Sequence, residues 1–239
     1  MRSDGRLPEE LRPMTIQRDY TRYAHGSVLV TAGETRVLCT AMVEDRVPPH
    51  CAGRRTGWVT AEYCMLPSSI PIRKSLQREP DGRAREIQRL IGRSLRAAVD
   101  RSQIGERTVW IDCNVIQADG GTRAASICGG FVALADALWK LRDAGKIETL
   151  PIKHSVAAVS VGVVEGRPLL DLTSAEDQNA SVDMNVVMTH DGRFIEVQGT
   201  AEGEPFTGDQ MTELVALAQK GVDEIKQVQM AALKAHLAI

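Results

Sequence analysis

The chain has 239 residues, a formal net charge of −2, and 43% hydrophobic and 25% charged residues, ordinary values for a globular protein with one large core or two smaller ones. With three Phe, three Tyr and three Trp it has little with which to stack bases, and its mild acidity argues against indiscriminate polyanion binding, leaving only a local basic patch for such a partner. Its five cysteines (Cys39, Cys51, Cys64, Cys113, Cys128) are odd in number and lack CxxC or Cys/His ligand spacing, the pattern of reduced structural thiols.

The first stretch, MRSDGRLPEELRP, lacks the apolar core of a signal peptide, and no apolar run reads as long enough to span a bilayer. The expectation is a cytoplasmic protein without membrane contact. SVLVTAGETRVLCTAMVE then predicts a hairpin, two β-rich runs around a glycine-containing turn. EDRVPPHCAGRRTGW is a loop, and VTAEYCML resumes a strand. SSIPIRKSLQREPDGR, with two prolines and several basic residues, predicts a long exposed or partly disordered loop. REIQRLIGRSLRAAVDR is a helix and TVWIDCNVIQA a buried strand. DGGTRAAS follows at residues 119–126, then a helix ending near Gly145, a C-cap candidate.

The second half repeats the order of elements. HSVAAVSVGVVEGRPLLDL predicts a hairpin turning at EGRP, and ASVDMNVVMTHDGRFIEVQG another turning at HDGR. TGDQMTELVALAQKGVDEIKQVQMAALKAHL predicts one long amphipathic helix. Hairpins followed by helices, twice, imply an α+β fold of two similar layered halves, about 1–150 and 151–239.

Three constellations bear on chemistry. At about 100° per residue, Arg85, Arg89, Arg93 and Arg96 share one sector of the first helix, with Ile87, Leu90, Ile91 and Ala98 roughly opposite. Such a stripe repels itself unless an anion or carboxylates meet it; a solvated or subunit-pairing face is the equal alternative. In DGGTRAAS, a helix starting near Thr122 would point free N–H groups into the turn. Gly120 and Gly121 would admit an anion, with Thr122 and Arg123 as further donors. The bland reading is a relaxed turn with Thr122 as cap and Arg123 solvated. GxxxxGK[ST] is absent, so this is not a P-loop. In LLDLTSAEDQNASVDMNVV, Asp171, Glu176, Asp177 and Asp183 crowd one segment, either a Mg²⁺ or Mn²⁺ site or an acidic surface loop. No Ser-His-Asp arrangement is supported, and the five histidines read as surface residues.

MRSDGR…ELRP, GSVLVTAGETRVLC, VEDRVPP, GWVTAEYCMLP, GRAREIQRLIGRSLRA, ERTVWIDCNVIQADGGTRAAS, LLDL…ED…VDMNVVMT and FIEVQGTAEG together resemble the ribonuclease PH family, almost collinearly over residues 1 to about 225. The resemblance implies one domain over 1–239 with the two-layer β-α-β fold shared with ribosomal protein S5 domain 2. It implies a phosphate-dependent 3′-to-5′ exoribonuclease, a transfer RNA nucleotidyltransferase that trims transfer RNA precursors and in reverse adds nucleotides from nucleoside diphosphates. The family's phosphate-binding residues fall on Arg83, Gly121, Thr122 and Arg123, and its catalytic, metal-associated acids on Asp177 and Asp183. Its RNA-gripping basic residues map approximately onto Arg73, Lys74 and Arg78, because the loop here is shorter and differently spaced. Mg²⁺ or Mn²⁺, inorganic phosphate as co-substrate, RNA 3′ ends and a homohexameric trimer of dimers are the implied cofactors and partners. The alternative is a non-catalytic RNA-binding ring subunit of an exosome-like assembly.

Overall fold

The computed structural model describes residues 2–73, 75 and 80–234. Five strands build a first sheet: β1 (Met14–Arg18), β2 (Gly26–Ala32), β3 (Thr35–Glu44), β4 (Trp58–Met65) and β5 (Thr108–Gln117), in the order β1-β2-β3-β5-β4. β2 and β3 form the expected hairpin with Ala32 opposite Thr35. β3 buries Val37, Cys39 and Ala41, and β5 buries Val109, Ile111, Cys113 and Val115. That period of two makes one face of the sheet apolar. β4 and β5 run parallel, so α1 (Gly82–Ala98) serves as the crossover between them.

β1 is an addition to the sequence reading. Its five residues, MTIQR, alternate in burial and zip antiparallel onto β2, a signal too short to stand out by itself. α1 starts three residues earlier than its apolar period suggests, because Asp81 caps it by accepting from the Ala84 amide at 2.8 Å.

α2 (Thr122–Asp143) crosses the first sheet and also meets the second, which holds β6 (Val156–Val164), β7 (Arg167–Leu170), β8 (Ala180–Thr189) and β9 (Phe194–Ala201) in the order β7-β6-β8-β9. Both expected hairpins of this half are present. The architecture is α+β, with α1 and α2 between the sheets and α4 (Gly208–Leu233) against β6, β7 and the edge strand β1. α2 approaches the first sheet closely: a Cβ at Gly129 would lie 2.9 Å from both Cys39 Sγ and Val30 Cγ1. The Gly145 amide closes the helix on the Arg142 carbonyl at 2.8 Å with φ +68.

By length and composition α2 is apolar enough to cross a membrane, with mean hydropathy 1.4 over its most apolar stretch, contrary to the expectation that no such run exists. The fold supplies the reason, since 89% of that stretch is buried within the protein. It is the core helix.

The arginine stripe divides. Arg93 makes a bidentate pair with Glu196 of β9, at 2.9 and 2.6 Å. Arg96 lies 4.5 Å from the Trp58 ring centroid and donates to the Val59 carbonyl at 2.9 Å. Arg93 and Arg96 are thus taken up within the chain.

Candidate active site

The β5–α2 turn, the start of α1 with the loop before it, the end of β4, the short helix α3 (Ser174–Gln178) and β8 line a cleft of about 520 Å³. It brings together Arg83, Gly121, Thr122, Arg123, Asp177 and Asp183, six of the nine site residues expected from the sequence, although they span a hundred positions. Arg73 is exposed on the loop before α1 and is not among the cleft residues. Lys74 and Arg78 lie outside the described residues.

The β5–α2 turn is built by two consecutive left-handed glycines, Gly120 at φ +74 and Gly121 at φ +64. Gly121 is the N-cap of α2, and no side chain among the described residues caps the helix, so Thr122 does not play that part. Its hydroxyl instead lies 2.8 Å from the hydroxyl of Tyr63 on β4. The uncapped start leaves first-turn amides for a ligand, reinforced by the positive end of a 22-residue helix.

Gly120 is required by space as well as conformation. A Cβ there would lie 2.3 Å from the Leu172 carbonyl oxygen, because the chain between β7 and α3 packs directly on the turn. Gly120→Ala is therefore expected to cost at least about 2 kcal/mol, from the left-handed backbone and the clash together. A thermal melt should show a fall of roughly 4 °C or more; an unchanged melting temperature would mean that the turn is not packed this way.

Arg123 sits in the first turn of α2 with Nη1 3.2 Å from Gln198 Oε1 and 3.7 Å from Glu86 Oε1. Gln198, on β9, also donates to Glu86 and Glu196, so α1 and β9 together steady this guanidinium. Arg83 occupies the first turn of α1, exposed along the cleft wall. Neither Tyr63 nor Gln198 is marked by any local pattern; each is one alternating position in a strand, and only the approach of strands to the helix start gives it a role. Burial pushes the Tyr63 phenol upward, against the pull of the Thr122 hydrogen bond and of Arg83 and Arg123.

The four carboxylates of the acidic segment separate into two kinds. Asp171 is taken by Arg12, with Nη2 2.6 Å from Oδ1 and Nε 2.9 Å from Oδ2, and Glu176 by Arg2 at 2.7 Å. These buried pairs are internal structure, so neither acid is a free metal ligand. Burial acts to raise Glu176, yet hydrogen bonds from Arg2 and the Thr173 amide outweigh it and hold the carboxyl below its usual range. Asp177 and Asp183 face the cleft instead. Asp183 Oδ1 is buried with no hydrogen-bond partner among the described residues. Its carboxyl is pushed up to about 6, first by burial and then by Asp177, with Arg123 and Arg83 pulling it down. A buried, unpartnered carboxylate oxygen beside a second acid suits a hard divalent cation, so the donor set fits Mg²⁺ or Mn²⁺.

Among the described residues, one other group has metal-ligand chemistry: His154, His190 and Asp191, whose ligand atoms lie within 4.8 Å of one another. Arg193 already meets it, 2.6 Å from Asp191 and 3.2 Å from His154 Nε2.

The sequence profile of the 3′ exoribonuclease family, domain 1, matches residues 10–139, and that of domain 2 of the same family matches residues 154–221. Among solved structures, the chain is similar to the crystal structure of rice (Oryza sativa) Rrp46, at 20% identity and a TM-score of 0.79 over 97% of this chain and 100% of that one. It is similar as well to a chain of the Archaeoglobus fulgidus exosome with RNA bound to the active site, at 21% identity and a TM-score of 0.79 over 95% of this chain and 91% of that one. At these identities the two structures establish a shared fold.

Proposed function

This chain belongs to the 3′ exoribonuclease family of ribonuclease PH-like proteins, and from that premise we propose that it is a phosphorolytic nucleotidyltransferase that shortens RNA from the 3′ end. The observation that carries the reading is the charge layout of the cleft, where Arg83 and Arg123 oppose the acids Asp177 and Asp183. Two anions, inorganic phosphate and the RNA backbone, repel each other unless cations and oriented amides hold them together.

In this reading Arg123, Arg83 and the uncapped start of α2 hold the phosphate. One of its oxygens attacks the phosphorus of the last phosphodiester. The bond to the 3′-oxygen of the preceding nucleotide breaks, a nucleoside 5′-diphosphate departs, and the shortened RNA keeps a 3′-hydroxyl after taking up a proton. With its carboxyl near 6, Asp183 keeps a fraction protonated at neutral pH, the form that can donate to the leaving 3′-oxygen. In the alternative in which Asp183 is ionised, it and Asp177 would hold Mg²⁺ or Mn²⁺, which would offset the negative charge that builds there.

The preferred substrate we assign is a transfer RNA precursor. RNA would be gripped by the loop carrying Arg73, Lys74 and Arg78, repeated around a ring of six chains assembled as a trimer of dimers. A symmetric ring enlarges the positive field that one weakly acidic chain lacks. The competing role is a non-catalytic ring subunit, and the likeness in fold to a chain of an archaeal exosome is compatible with it. The retained acids and guanidiniums favour catalysis.

The test uses the species whose light-scattering mass corresponds to six chains. Incubated with a 3′-extended transfer RNA, it should release nucleoside diphosphates only when inorganic phosphate is supplied. Monophosphate release at the same rate without phosphate would overturn the reading.

A further inference from the structure

The turn that faces the cleft is held from behind by a residue that does not line it. The Arg12 guanidinium lies between the β5–α2 turn and Asp171, and its side chain is only 4% exposed. Nε and Nη2 grip both Asp171 oxygens, at 2.9 and 2.6 Å, and the Arg12 amide adds a third bond to Oδ2 at 2.9 Å. The rest of the fork reaches the turn: Nη1 donates to the Asp119 carbonyl and Nη2 lies 3.5 Å from the Gly120 carbonyl. Thr35 supports the same arrangement by donating to the Gly120 carbonyl at 2.7 Å and accepting from the Asp119 amide at 2.9 Å.

In a trans peptide the carbonyl and the amide of one plane point in opposite directions. Drawing the carbonyls of Asp119 and Gly120 toward Arg12 therefore turns the amides of Gly120 and Gly121 the other way. With two left-handed glycines these planes have little stiffness of their own. Asp171 is itself fixed: it is a non-glycine residue at φ +54, and Arg2 and Arg6 donate to its carbonyl at 2.9 and 3.1 Å. Arg2 also pairs with Glu176, one residue before Asp177. The first twelve residues thus tie the anion turn and the acidic helix to one anchor.

We propose that Arg12 is the positioning residue for phosphate binding, anchored by Asp171 and aiming the amides of the Gly120–Gly121 turn through their carbonyls without touching the ligand. The inference rests on the phosphorolytic reading and adds to it a residue outside the cleft. Arg12→Lys is the informative variant, because an ammonium keeps the buried charge but cannot serve two carboxylate oxygens and two carbonyls at once. Asp171→Asn is its companion, loosening the anchor from the other side while keeping its shape.

Both variants are measured in the full-length protein by phosphorolysis at varied phosphate and varied RNA, and by equilibrium dialysis of radiolabelled inorganic phosphate. Circular dichroism confirms folding at the assay temperature. The expected result is a KM for phosphate raised by roughly tenfold or more, weaker phosphate retention by a similar factor, and a KM for RNA within about twofold of the parent. Phosphate binding as tight as the parent's in both folded variants would overturn the proposal, as would a parallel rise in both KM values. If the parent itself turns over without phosphate, the phosphorolytic reading fails and this inference with it. If the parent requires phosphate and the variants bind it equally well, only the role of Arg12 falls.

Discussion

Asp183→Asn is expected to leave the protein folded and to lower its phosphate-dependent rate by about a hundredfold or more. Asp183 stands in the middle of β8, opposite Gly162 of β6 and Thr200 of β9, where an isosteric amide disturbs no backbone pairing. What the change removes is a negative charge and a titrating proton. The wild-type carboxyl, raised from 3.8 to about 6, binds protons more readily in the folded chain than in the unfolded one. The contribution of Asp183 to wild-type stability should therefore fall as pH rises from about 4 to about 6 and stay lower above that range. The asparagine variant has no such penalty. Its melting temperature should match the parent near pH 4 and exceed it at pH 7.5. A more stable, inactive protein is the signature of a carboxylate kept for chemistry at a cost to the fold. Wild-type turnover in the variant would remove Asp183 from the mechanism, and a variant that melts lower at pH 7.5 would contradict the account of its burial.

Arg123→Ala is expected to lose on the order of a hundredfold in rate at subsaturating phosphate while still binding RNA. The guanidinium is one-fifth exposed, and its partners are one neutral amide at 3.2 Å and a carboxylate at 3.7 Å. Losing it should therefore cost the fold little, about 1 kcal/mol or less. The comparison with Arg12→Lys separates holding the anion from aiming the turn: truncating Arg123 deletes a donor, whereas altering Arg12 misaligns donors that remain. Filter binding of RNA in the absence of phosphate, next to initial rates across a phosphate series, gives both quantities. Loss of RNA binding with normal turnover at saturating RNA would reverse the assignment.

The strands β2 to β9 and helices α1, α2 and α4 were legible because each carries its period, or for β6 and α2 its continuous apolar run, within its own residues. Val37, Cys39 and Ala41 alternate, and Ile87, Leu90 and Ile91 repeat at helical spacing. β1 and α3 were not legible. Five residues hold too little pattern, and α3 exists through a capping box between Thr173 and Glu176. The arginine stripe of α1 could be drawn from spacing alone, but Glu196 and Trp58, which meet Arg93 and Arg96, lie on other elements.

Residue type and order determined the family motifs, the glycine turn and the presence of four crowded acids. Which acids do what was a matter of tertiary structure. The local capping box of Thr173 and Glu176 marks one of them, but nothing local tells Asp171 from Asp183 as an ion-paired or a cleft-facing acid. Asp171 and Glu176 are neutralised because Arg12 and Arg2, more than 150 positions away, come to meet them. The other two are left facing a cleft with Arg83 and Arg123. A carboxylate's role depends on its solvation and on the charge opposite it, and both are set by chain segments distant in sequence.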